Sequence, residues 1–153
     1  MRMDPIDQAV YPNFAEYVRE FVPKLISVPQ VVKNLERYGN LTYLEAGDAL
    51  TWGMGPRIVI KDLHHGQCGV PQAYGCFRSG TPDAIEIHRG TVEDYELTQK
   101  TDVNRRGKPV YVVGATLIHE LCHWGNHNNA PPVPELHEMG EAFEKATYGK
   151  IIY

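Results

Sequence analysis

The chain has 153 residues, of which 42% are apolar and 22% charged, with a formal net charge of -4; this suits one domain that buries about 70% of its unfolded surface. Gly 14 and Pro 11 are too few for a collagen-like or low-complexity chain. The longest apolar run, Val110 to Ile118, is short of the roughly 20 residues that span a bilayer, and the 15 Lys+Arg are scattered rather than striped, which argues against nucleic acid as a partner. The start, Met1-Arg2-Met3-Asp4-Pro5, lacks the apolar core of a secretory signal, so export of this chain would use another route.

In chain order, Phe14, Tyr17, Val18 and Phe21 recur at three- and four-residue steps and predict a helix from Tyr11 to Phe21 that stops near Pro23. Pro29 suits a first helical turn, and Val31, Val32, Leu35 and Tyr38 continue a second helix until Gly39-Asn40 closes it. Leu41 to Gly55 reads as a further helix running into a loop. Arg57 to Ile60 and Ala84 to His88 are short β-branched runs bounded by Gly and Pro, and so are expected strands. The glycine- and proline-rich stretch between them, His64 to Pro82, is expected to be irregular. It contains Cys68 and Cys76, for which a disulfide and two free thiols are equally open. Thr91 with Asp94 three residues on resembles an N-cap for a helix to about Gln99, and Lys100 to Lys108 reads as a polar loop.

The chemistry is concentrated in Val110 to Trp124, an apolar helical stretch whose ionisable members are bunched as His119, Glu120 and His123. At a helical period of 3.6, residues four apart lie about 40° apart, so both imidazoles reach one ion. Glu120 sits beside them, placed to take a proton from a water rather than to ligate. Three ionisable groups in an apolar helix need compensation for their desolvation, and a cation supplies it. The competing reading is two satisfied core histidines next to a solvated glutamate.

A catalytic zinc ion takes three protein ligands and keeps one position open. The third is expected beyond a stiff connection at Ala130-Pro131-Pro132-Val133-Pro134, on a helix that starts at Glu135 and carries Glu138, Glu141 and Glu144 with Leu136, Met139, Ala142, Phe143 and Ala146. Glu141 is preferred because Gly140 lets that helix approach closely, with Glu138 the second choice. Glu144 is either an acceptor that orients a ligating imidazole or a solvated charge.

His119-Glu120-Leu121-Cys122-His123-Trp124-Gly125-Asn126, followed by Gly140-Glu141-Ala142-Phe143, resembles the gluzincin metallopeptidases. Within them, the run from Ala115 to Gly125, with Glu141 to Glu144 and Tyr148-Gly149, is most similar to the metallopeptidase domains of bacterial polymorphic and type VI secretion toxins. The likeness covers about Ile85 to Gly149; residue 126 is Asn where close relatives would carry an acidic group. It implies one zinc ion held by His119, His123 and Glu141, with Glu120 as general base and then general acid. It also implies an α+β zincin fold over 1–153, with 1–55 a helical scaffold and 56–153 the core.

The same resemblance implies a peptide or protein substrate that pairs with an edge strand at Ile85, Glu86 and Ile87, export by a specialised secretion system into a target cell, and a possible immunity protein or secretion carrier as partner. Tyr148, Tyr153, His127 and His88 are all chemically able to stabilise an oxyanion. The alternatives are an intracellular peptidase and a binding module with structural zinc.

Overall fold

The computed structural model describes residues 1–129, 135 and 137–153; the connection at 130–134 and Leu136 lie outside the described residues. An N-terminal strand β1 (Arg2–Met3) leads into α1 (Pro5–Val10) and α2 (Pro12–Glu16), then a π-helical turn over Tyr17–Phe21 and a 3-10 stretch over Val22–Ser27. Helices α3 (Pro29–Gly39) and α4 (Tyr43–Leu50) follow. Local chemistry sets their ends: Asn40 closes α3 in the left-handed conformation, and Thr42 with Glu45 forms a reciprocal capping box on α4.

Strands β2 (Arg57–Lys61), β3 (Gly75–Phe77) and β4 (Ala84–His88) then form a four-stranded sheet of order β1-β2-β4-β3, with β3 alone antiparallel. Residues 1–55 are therefore not purely helical, because Arg2 and Met3 add a strand to the same sheet that carries Ile85 and Ile87. The His64 to Pro82 stretch likewise contains β3, which is too short to show periodicity. Helix α5 (Arg89–Thr98) starts two residues before the expected cap, with His88 at its N-cap. The expected polar loop at Lys100 to Lys108 contains β5 (Thr101–Val103), which pairs antiparallel with β6 (Pro109–Tyr111), so Val110 and Tyr111 of the expected helix are strand residues.

Helix α6 (Val112–Asn129) runs through the middle. Its Val113, Leu117, Ile118, Leu121 and Cys122 are almost fully buried, in one cluster with Ile85 and Ile87 of β4, Leu35 of α3 and Phe143 of α7 (Met139–Tyr148). Each such buried aliphatic side chain contributes about 1.5–3 kcal/mol. A helix apolar on nearly every side must be a core helix, so the polar groups on its remaining face are held in place by the packing of the others.

The expected edge strand is corrected here. Ile85, Glu86 and Ile87 pair with β2 on one side and β3 on the other, so their backbone is not free to bind an extended peptide. Their run of four buried residues fits that interior place. Glu86 tolerates it because Arg78 Nε and Lys61 Nζ lie 2.6 and 2.9 Å from its carboxylate oxygens. The free edge on that side is β3.

Candidate active site

His119, Glu120 and His123 lie mid-way along α6, and α7 meets them through Gly140. A Cβ at Gly140 would stand 2.2–2.5 Å from the His119 ring, so only glycine permits this approach. Helix α7 begins at Met139 rather than Glu135, and its N-cap is Glu138. This cap brings the Glu138 carboxylate to the histidines: its Oε1 is 3.1 Å from His119 Nε2 and 2.5 Å from His123 Nε2, and its other oxygen accepts the Glu141 N–H. Glu141, one turn further on, pairs instead with Lys145 Nζ at 2.9 Å. The reason for the difference from the expected Glu141 is the late helix start, which turns the capping position, not the first turn, toward α6.

The outer nitrogens are also engaged. His119 Nδ1 donates to Glu144 Oε1 at 2.7 Å, while Glu144 Oε2 accepts the Ile152 N–H at 2.6 Å. His123 Nδ1 donates to Glu135 Oε2 at 2.9 Å. This role of Glu135 is not visible in the sequence, since residues 123 and 135 belong to no common periodic element. Carboxylates on both Nδ1 atoms fix the ring orientations and leave each Nε2 as the atom that could ligate a metal. His119, His123 and Glu138 each offer one ligand atom within 4.8 Å of the others, and two nitrogens with an oxygen suit zinc and neighbouring divalent metals.

The electrostatics point the same way. Burial alone would lower the pKa of both imidazoles, yet the bonds to Glu138 and Glu144 raise His119 to about 10, and those to Glu135 and Glu138 raise His123 to about 9. Burial disfavours ionisation of Glu138, but the same two imidazoles overcome it and hold its carboxyl well below the ordinary range. The cluster therefore demands positive charge, which a divalent cation would supply. Burial pushes Glu120 up to about 7, opposed by the charges of His119 and His123. A carboxyl group of that pKa exchanges protons near neutrality. Its wall is Gly75 of β3, where a Cβ would stand 2.7 Å from Glu120 Oε1.

These groups open onto a cleft of about 1120 Å³, bordered by β3, the loop before it, α6, α7 and Ile151 to Tyr153. His127 lines it, with its ring 5.4 Å from Phe77, and so does exposed Tyr153. Tyr148 does not: it borders a second cavity of about 600 Å³ with Tyr17 and Gly114, where burial raises its phenol pKa. His88 is also elsewhere. Its Nδ1 accepts the Leu63 N–H at 3.2 Å, and its ring stacks on His64 at 3.7 Å. Asn126 donates to Tyr38 O and Cys122 O, a structural role tying α6 to α3.

The arrangement defines a class: an α+β protein with a preformed metal-ligand cluster and an adjacent buried carboxyl in an open cleft. A family model described as metallopeptidase toxin 3 matches residues 7–149, and the chain belongs to that family. No curated protein and no solved structure matches it. The match includes most of α1 and all of α2 to α4, the segment in which sequence alone offered no likeness. No helix among the described residues is long and apolar enough to cross a membrane.

Proposed function

We propose that this chain is a zinc-dependent endopeptidase of zincin type, acting as a toxin after delivery into a target cell. The observation that carries the reading is the convergence of His119 Nε2, His123 Nε2 and Glu138 Oε1 beside Glu120, whose carboxyl is raised to about 7. Glu138 replaces Glu141 as the third ligand in this reading, because Glu141 already pairs with Lys145. A bound divalent cation would polarise the scissile carbonyl and acidify a water molecule.

The chain's own residues do the rest. Glu120 takes a proton from the attacking water and returns it to the leaving amine, a transfer suited to a group titrating near neutrality. Glu144 and Glu135 hold the imidazoles in one tautomer and orientation. The free edge of β3 offers its backbone N–H and C=O groups to an extended substrate, which would then cross the cleft past Glu120. His127 is the best placed of the four oxyanion candidates, since it lines the cleft on the metal helix itself. A protein that hydrolyses peptides in a target cell also implies a neutralising partner in the producing cell.

Glu120→Gln tests the reading. The variant should bind the metal in unchanged stoichiometry and lose about 10²–10⁴-fold in casein cleavage; full retained activity would remove Glu120 from the mechanism.

A further inference from the structure

Cys68 and Cys76 are joined as a disulfide, with Cα atoms 5.9 Å apart. Cys76 is the middle residue of β3, a three-residue outer strand that pairs, among the described residues, with β4 alone. Its neighbours on either side face the proposed chemistry: Gly75 abuts Glu120 and Thr116, and the Phe77 ring lies 5.4 Å from His127. Cys68, Val70, Gln72, Ala73 and Tyr74 continue the same wall of the cleft.

Among the described residues, that wall has a small apolar core of its own. The loop's own apolar cluster consists of Leu63, Ala73 and Cys76, with Cys68 packed against it, so half of its members are the bonded cysteines. Beyond it, among the described residues, the wall has the three β3–β4 pairs, a bond from the His88 N–H to Tyr74 O at 2.7 Å, an isolated bridge between His64 and Gln72, a Gly69 N–H bond to Gly66 O, a Cys68 Sγ contact with Gly75 O and a bond from Arg78 Nη2 to Gln67 O. A three-residue edge strand with so small a core has few pairs to hold its register, and the covalent tie adds to them.

Resting on the peptidase reading, we propose that the Cys68–Cys76 bond is a positioning element of the active site. It holds Gly75–Phe77 against Glu120, so the cleft is complete only when the two thiols are oxidised. The bond forms by exchange with an external disulfide: the two cysteines lose two electrons and two protons, and the external disulfide leaves as two thiols. The protein would then have an incomplete cleft in a reducing cytosol and a complete one in an oxidising compartment. The third thiol, Cys122, does not compete, being fully buried in α6 with its pKa raised by that burial.

The test compares the metal-loaded wild-type protein, oxidised and reduced, with C68S/C76S. Two readouts are used: amide hydrogen exchange, and peptide cleavage resolved into kcat and KM. On reduction, exchange at residues 74–77 should rise about tenfold or more while that of Leu117 to Leu121 stays constant. Metal content should not change, and kcat/KM should fall about tenfold or more, chiefly through KM. Oxidised glutathione should restore the reduced wild-type protein but not C68S/C76S, which separates the effect of the bond from damage to the fold. Unchanged exchange or an unchanged KM in the reduced protein overturns the proposal and leaves the peptidase reading intact. A strand that loosens on reduction in a protein that never cleaves peptide, even oxidised, overturns that reading and the catalytic half of this proposal with it.

Discussion

The described residues contain two clusters of histidines with carboxylates, and they behave in opposite ways. At His119 and His123 every ring nitrogen meets a carboxylate, and both pKa values rise. At the far ends of β2 and β4, Asp62, His64 and His88 also bring ligand atoms within 4.8 Å of one another. There the two rings stack face to face, Asp62 is exposed, and the His88 pKa is lowered by burial and then by the His64 charge. Stacked rings direct their lone pairs side by side rather than toward one point. Proximity of donors is common to both groups; only the first also has outer carboxylates that orient the rings and call for positive charge.

The largest effect expected from this contrast is at His119. His119→Ala should abolish stoichiometric zinc binding at neutral pH along with proteolysis, as read by metal analysis after dialysis and by casein digestion. Truncating an outer carboxylate should cost less. Glu144→Ala should weaken zinc affinity about 10–100-fold, measured by competition with a chromogenic chelator, because it releases the His119 ring without removing a ligand. An unchanged affinity would mean that packing alone orients the ring.

A pH effect follows from the raised imidazoles. A histidine whose folded pKa exceeds its unfolded value adds stability that is fully present below about 6.5 and is lost as pH rises through the folded pKa. For the metal-free protein that loss should extend to about 9 and 10. The raised Glu120 acts in the same direction at lower pH, since ionising it in the fold costs more than in the unfolded chain. Urea midpoints of metal-free protein should therefore fall from pH 6 to pH 10, and zinc should flatten the profile by replacing the protons. The smallest effect is reserved for the other cluster: His88→Ala should leave zinc stoichiometry and cleavage rate within about twofold of wild type, since His88 lies outside the cleft. Loss of one zinc equivalent in that variant would erase the distinction between the two clusters.

Much of this architecture is legible along the chain because it is periodic. The apolar stripe of α3, the β-branched runs at β2 and β4, and the pairing of His119 with His123 on one helical face follow from repeats of 3.6 or 2 residues, whereas the expected helix from Tyr11 to Phe21 is α-helical only to Glu16, turns π-helical over Tyr17–Phe21 and continues past Pro23 to Ser27. What the sequence conceals is short or non-local. Strand β3 has three residues, β5 and β6 have three each, and β1 has two; none is long enough to carry a pattern. Whether Ile85 to Ile87 is an inner or an outer strand depends on β3 returning beside it, which no local signal announces.

By itself, then, the amino-acid order determined that His119, Glu120 and His123 stand together on adjacent turns of one helix, because one helix's geometry relates all three. The choice among Glu138, Glu141 and Glu144 belonged to the tertiary structure. Those carboxylates are equivalent by type and spacing, and only the start of α7 and its approach through Gly140 decide that the first meets both Nε2 atoms, the second a lysine and the third an Nδ1. The disulfide was decided in the same way, since pairing of Cys68 with Cys76 requires the loop between them to fold back onto β3.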